Sequence, residues 1–332
     1  MSGGHLSKEF FELVKAIGES KSKQEEDRII MKEVAELKKK LPEKGMVGKK
    51  LKELLVRLIY VEMLGHDGSF GYIKAVELSA STNLLQKRVG YLTCSLVLSP
   101  QHELRFMLVN QLQRDMSSMN HLECWAALTA LTKLVTTDMV PAVMGDVVKL
   151  LGHDVELVRK KAVMALHRFH QLDPPSIDHL QDKIRRCLCD KDPAVMGATL
   201  CLLYDLVYRA TGGFEKQALE DGSGDDDGYG AGDGGASSGG GARAPARGPG
   251  SVKSYKDLIP SFVSILKQII EHRLVREYDY HRMPAPWIQI QLLRILALLG
   301  HGDQAASEGM YEILNEVMRR ADTGINVGYA VM

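Results

Sequence analysis

Three stretches of this chain repeat one another at a spacing that leaves little choice of architecture. Leu122-Glu-Cys-Trp-Ala-Ala-Leu128, Val158-Arg-Lys-Lys-Ala-Val-Met164 and Val195-Met-Gly-Ala-Thr-Leu-Cys201 begin 36 and 37 residues apart, and each opens a helix-like stretch. Arg88-Val-Gly-Tyr91 lies about two periods upstream of the middle block. A unit of that length holds two helices, and one helix pair cannot bury its apolar face alone. Stacking successive pairs makes the core continuous. The period therefore predicts an all-α chain, an α-solenoid of helix pairs.

The middle repeat strengthens this reading, because Asp154-Val-Glu-Leu-Val158-Arg159-Lys-Lys-Ala162 matches the D-x-x-x-V-R-x-x-A signature of HEAT/armadillo-like units. Elsewhere the apolar residues keep helical period. Glu25 to Leu41 places Ile29, Ile30, Val34 and Leu37 on one stripe and is ended by Pro42 and Gly45. Leu51 to Leu64, stopped by Gly65, and then Phe70 to Ala80, Gln86 to Leu98 and Leu104 to Met116 continue the series. Alternating strand patterns are missing. Aromatics make up only 6% of a chain that is 45% hydrophobic, a bias towards helix. One rod of stacked pairs, residues 1–332, is expected in place of the two domains that length alone would suggest.

One stretch interrupts it. Gly212 to Gly250 holds 14 of the 31 glycines, with acids first and then Arg243, Pro245, Arg247 and Pro249. Such a segment cannot bury enough apolar surface to offset its ordering entropy, so residues 212–252 are expected to be a disordered insertion. Within it Gly230 to Gly235 fits G-x-G-x-x-G and Gly235 to Gly239 fits G-x-S-x-G. Both motifs require a strand before and a helix after, and neither flank is present. Asp225-Asp-Asp227 reads as a solvated acidic run.

Candidates for chemistry are few. Cys187 and Cys189 lie two apart, about 200° around a helix, so both thiols cannot face one ion. His167 and His170 share a helix face but have no third ligand at metal spacing. There is no phosphate-binding glycine loop ending in Lys-Ser/Thr. No catalytic residue, metal or cofactor is expected. Five scattered cysteines fit a reducing compartment, and no apolar run is long enough to span a bilayer. The N-terminus lacks a signal core, and Ser2 excludes N-myristoylation, so the expected location is cytoplasmic.

Charge is balanced at 42 basic and 42 acidic residues, which excludes a protein that coats nucleic acid by bulk charge. It is not evenly spread. Between Glu36 and Arg57 there are eight basic and three acidic residues, a local excess of five. This corner reads either as a solvated helix-loop-helix turn or as a docking site for anionic lipid headgroups. No aromatic residues are interleaved to stack bases, so nucleic acid is not the expected partner. The lipid reading rests on Lys49, Lys50, Lys52 and Arg57.

Longer motifs point to a family. Leu64-Gly-His-Asp-Gly-Ser-Phe70-Gly71, Asn83-Leu-Leu-Gln-Lys-Arg-Val-Gly-Tyr91 and Cys189-Asp-Lys-Asp-Pro193 resemble the large adaptin subunits of heterotetrameric vesicle-coat adaptor complexes. The likeness is sharpest at Tyr278-Asp-Tyr-His281 and Met283-Pro-Ala-Pro-Trp287-Ile-Gln-Ile-Gln-Leu-Leu-Arg294. It covers residues 10 to 332 apart from the insertion. Among the large subunits it is most similar to the epsilon class of adaptor complex four, with gamma and alpha as near relatives.

The resemblance implies the N-terminal trunk of a solenoid. Such a trunk cradles a sigma small subunit and packs beside a beta-class large subunit and a mu medium subunit. Adaptor complexes of this kind are recruited by an Arf-type GTPase to the cytosolic face of trans-Golgi or endosomal membranes, where they serve vesicle-mediated protein transport. Two positions depart from the family pattern. The lysine run that binds phosphoinositide in the alpha relative is reduced here to Leu51-Lys52-Glu53, with Arg57 matching a later basic position. Gly18 stands where alpha and gamma carry an arginine that reads acidic dileucine motifs. The chain also stops where the family continues, so a truncated trunk with an uncapped apolar face near Ile325 to Met332 is expected. The competing reading is a helical-repeat scaffold of the nuclear-transport or phosphatase-regulatory type.

Overall fold

Several helices start where a side chain supplies an acceptor for the first turn's unpaired N–H groups. Ser7 accepts from the Phe10 amide and opens α1 (Lys8–Gly18). Ser22 accepts from the Glu25 amide at 3.2 Å while Glu25 accepts from the Lys21 amide at 3.0 Å, so both flanks of the start of α2 (Lys23–Lys40) are held. Asn83, Asn120 and Asp192 cap α5 (Leu84–Val97), α8 (His121–Leu134) and α12 (Pro193–Ala210). Prolines 141, 193, 260 and 286 fall in the first turn of α9 (Val140–Leu150), α12, α13 (Ile259–Ile270) and α14 (Pro286–Gly300). There a missing N–H costs nothing. α3 (Gly48–Met63) closes through Gly65, whose φ is 86°, with Gly65 N–H bonding Glu62 C=O and His66 N–H bonding Val61 C=O.

The computed structural model describes residues 7–211, 255–281 and 283–321. The insertion at 212–252, with its two glycine motifs and Asp225–Asp227, lies outside the described residues, as does Ile325–Met332. The chain divides into two compact units, Met1–Asp173 and Pro174–Met332.

In the first unit α3, α5, α8 and α10 (Glu156–Leu172) stack in a row, each touching the next. Behind them α4 (Tyr72–Ser79), α7 (Val109–Met116) and α9 pair with α5, α8 and α10. The repeats at Leu122 and Val158 open the second helix of two successive pairs, which is why their spacing equals one pair. Leu58, Cys94, Leu112, Leu128, Leu131 and Phe169 are fully buried between the two layers. Burial pushes the Cys94 thiol up to about 12. Gly90 sets the closest approach: a Cβ there would lie 2.4 Å from the Ser79 amide nitrogen. In the second unit α12 packs on α11 (Gln181–Leu188) and on α14, while α13 packs on α14 and α15 (Gln304–Ala321). Leu200, Leu203, Phe262, Leu266, Leu292 and Ile295 form that core. This is the helix-pair architecture of an α-solenoid.

Three elements differ from expectation. The helix read over Leu104 to Met116 is broken at Leu108 into α6 (Leu104–Met107) and α7, because the backbone tightens there and Leu108 N–H bonds Arg105 C=O at 3.1 Å. The tightened turn accompanies a buried Arg105, whose guanidinium donates to the Leu98 and Leu134 carbonyls. The helix read over Phe70 to Ala80 starts as a 3₁₀ turn, Ser69–Gly71. A two-residue antiparallel pair, Asp279–Tyr280 with Met283–Pro284, precedes α14. It is too short for alternation to reveal.

Candidate functional site

The basic corner forms at the start of α3. Val47 offers no side-chain cap and the first turn carries no acid. Lys49 and Lys50 are exposed there and Lys52 is half-buried. Three cations at the positive end of a helix dipole are unfavourable unless an anion joins them.

Arg57 is not part of that surface, which corrects the grouping made from charge spacing. It sits two turns further along α3 and points inward. Its Nε donates to Glu33 Oε1 at 2.6 Å and its Nη2 to Glu33 Oε2 at 2.7 Å, with both side chains under a tenth exposed. Glu36 stands 3.4 Å away and is itself bonded to Lys40. Burial pulls the guanidinium pKa down, but the carboxylates outweigh it and the net shift is upward. Sequence spacing put Ile29 on the buried stripe of α2, whereas the structure buries Glu33 there beside Ile30, Val34 and Leu37. The basic group it meets lies 24 residues away.

A groove starts beside Lys52 and runs over α5. It encloses about 650 Å³. Its floor is an apolar ridge, Leu85, Val89, Leu92 and Leu96, with Val56 from α3 and Trp125 from α8 as walls. Lys52, Arg88 and Lys133 form the rim, and no acidic side chain lines it. The Arg88 guanidinium lies 5.4 Å and the Lys161 ammonium 5.8 Å from the Trp125 ring centre, close enough for cation–π attraction. Burial, then the neighbouring Lys160 and Lys133, lower the Lys161 pKa.

The sequence does carry a signal for this groove. α5 is apolar on two faces: Tyr91 and Cys94 point inward, whereas Leu85, Leu92 and Leu96 are 48%, 52% and 57% exposed. A helix in a simple two-layer stack needs only one such stripe. The inner face of α5 is pinned by polar contacts. Lys87, buried, meets Asp115 Oδ1 at 2.6 Å and Glu123 Oε1 at 3.1 Å, and the Tyr91 hydroxyl donates to Asp115 Oδ2 at 2.6 Å. The nearby carboxylates are thereby committed to Lys87, on the side away from the groove.

The metal candidates do not converge. Cys187 is buried in α11 and Cys189, one residue past its end, is exposed. His170 is buried in α10, while His167 is half-buried and lies 3.4 Å from the Gln171 amide nitrogen. Among the described residues no group of three or more His, Cys, Asp or Glu could hold a metal ion. No described helix is long and apolar enough to cross a membrane.

Residues 26–215 match the family described as the adaptin N terminal region. The chain is 48% identical over 326 residues to the AP-4 complex subunit epsilon of Arabidopsis thaliana, covering 98% of this chain and 30% of that protein. It is 41% identical over 320 residues to the AP-4 complex subunit epsilon-1 of Homo sapiens, covering 96% of this chain and 24% of that one. The chain thus spans under a third of the length of either relative. A structure titled a homology model of the full-length AP-3 complex shares the fold, with a TM-score of 0.55 at 20% identity over 83% of this chain and 39% of its own.

Proposed function

Because the chain belongs to the adaptin N-terminal family, we propose that it is trunk material of a large coat-adaptor subunit of the epsilon kind. The observation that carries this reading is 48% identity over 326 residues, 98% of the chain. In this role residues 1–332 act as one trunk for vesicle-mediated protein transport. The partners are a sigma small subunit, a beta-class large subunit and a mu medium subunit. An Arf-type GTPase and anionic lipid bring the assembly to the cytosolic face of trans-Golgi or endosomal membranes. The trunk's contribution is surface burial and positioning, with no chemistry of its own. Each membrane contact is weak, and several act together through effective concentration.

Lys49, Lys50 and Lys52 are the lipid contacts in this reading, without Arg57. Each contributes about 1 kcal/mol near an anionic surface. Reversing all three to Glu is expected to cost the assembled complex at least about a hundredfold in affinity for anionic vesicles, since repulsion adds to the lost attraction, with helicity unchanged. Unchanged flotation would return them to a solvated turn.

The reading itself is tested by what the tagged chain binds in cytosol. Sigma, beta-class and mu chains are the expected companions, and GTP-loaded Arf should increase liposome flotation of the complex. A GTPase of the Ran kind or a phosphatase catalytic chain in their place would overturn it.

A further inference from the structure

We propose that the groove over α5 is the seat of a single partner helix, amphipathic, about three turns long, and acidic along its flanks. Its shape argues for a helix. Leu85, Val89, Leu92 and Leu96 follow the i, i+4, i+7, i+11 spacing of a coiled-coil seam. They form a ridge rather than a flat patch, and a facing helix fills such a ridge with its own a and d side chains. From Leu85 to Leu96 the ridge runs roughly 16 Å at 1.5 Å per residue, which sets the length of the occupant.

Its charge argues for acidic flanks. Lys52, Arg88 and Lys133 rim the groove, Lys161 stands beside Trp125, and none of the four has a carboxylate partner among the described residues. The protein as a whole is neutral, so this is a local excess left open, while Asp115 and Glu123 behind α5 are spent on Lys87. Trp125, flanked by two cations and walled by leucines, has the composition of an interface anchor. The contact is also well supported, because the buried Lys87–Asp115–Tyr91 cluster holds α5 rigid from behind. This inference goes beyond the coat-adaptor reading and does not depend on it, since a peptide can be tested on the full chain alone.

The assay uses Trp125 as reporter. The protein has two tryptophans, so Trp287→Phe in the full chain leaves Trp125 as the sole indole. The probe is a synthetic helical peptide with Leu at i, i+4, i+7 and i+11 and Glu at the flanking positions. A second peptide of equal hydrophobicity carries Lys in place of Glu. The acidic peptide is expected to bind and shift Trp125 emission, and the basic one to bind at least tenfold more weakly. Arg88→Glu and Lys133→Glu, both exposed positions, combined with Lys52→Glu leave one cation against three carboxylates at the groove and should invert that preference, a gain that misfolding cannot produce. Leu92→Asp should abolish binding of both peptides. Equal binding of the two peptides overturns the proposal. So does failure of the charge swap to invert the preference, or no binding of the acidic peptide at about 1 mM, the weak end of specific affinity. Phosphatidylserine vesicles that shift Trp125 emission where the peptide does not would also overturn it, in favour of a membrane-facing groove.

Discussion

Arg57→Met separates the structural role of this residue from the lipid role that charge spacing suggests. The substitution keeps most of the side-chain volume and removes the guanidinium. Glu33 then loses two charge-assisted hydrogen bonds, of 2.6 and 2.7 Å, in a position only 7% exposed. Glu36, 3.4 Å from the guanidinium, loses its second cation but keeps Lys40. Removing one partner of a buried pair leaves an uncompensated charge and costs about 3–5 kcal/mol. That is a large part of the 5–15 kcal/mol typical of a domain. The companion Arg57→Met/Glu33→Leu removes both charges, and most of the loss should return, since apolar replacement of a buried pair is often close to neutral. Urea unfolding followed by far-UV circular dichroism gives both values, and the interaction energy follows from the cycle with Glu33→Leu. A loss of under about 1 kcal/mol, the value of an exposed pair, would refute the reasoning. A double variant no more stable than the single would refute it equally.

Gly90→Ala should destabilise the first unit by about 2–3 kcal/mol, because the new methyl meets the backbone of Ser79 and Leu78, which cannot rotate away. An unchanged unfolding midpoint would remove the close approach of α4 and α5. Glu123 is held below the ordinary glutamate value of 4.5, first by the Ser118 hydroxyl and then by Lys87. A depressed carboxylate stabilises the fold above its unfolded pKa, and that contribution is lost as pH falls through the folded value. The stability gap between the wild type and Glu123→Gln should therefore narrow as pH drops below 4.5, and a gap constant across that range would sink the assignment.

Much of the molecule was legible because it is local. Helix period, caps such as Ser22 and Asn83, and the proline boundaries each depend on neighbours within one or two turns. The spacing of 36 and 37 residues was enough to call stacked pairs, since a pair has one length and one unburied face. Lys49, Lys50 and Lys52 were legible as a charged surface for the same reason, being consecutive or nearly so at one helix start.

What spacing could not decide was which charges face water. Spacing grouped Arg57 with the surface lysines and gave no sign that Lys87 is buried, yet their partners Glu33 and Asp115 lie 24 and 28 residues away on other helices. Only packing brings those groups together, and packing also decides that one of the two apolar stripes of α5 becomes core while the other is left open as a groove. The physical reason is that burial belongs to the neighbour an element meets, and a one-dimensional pattern records the element alone.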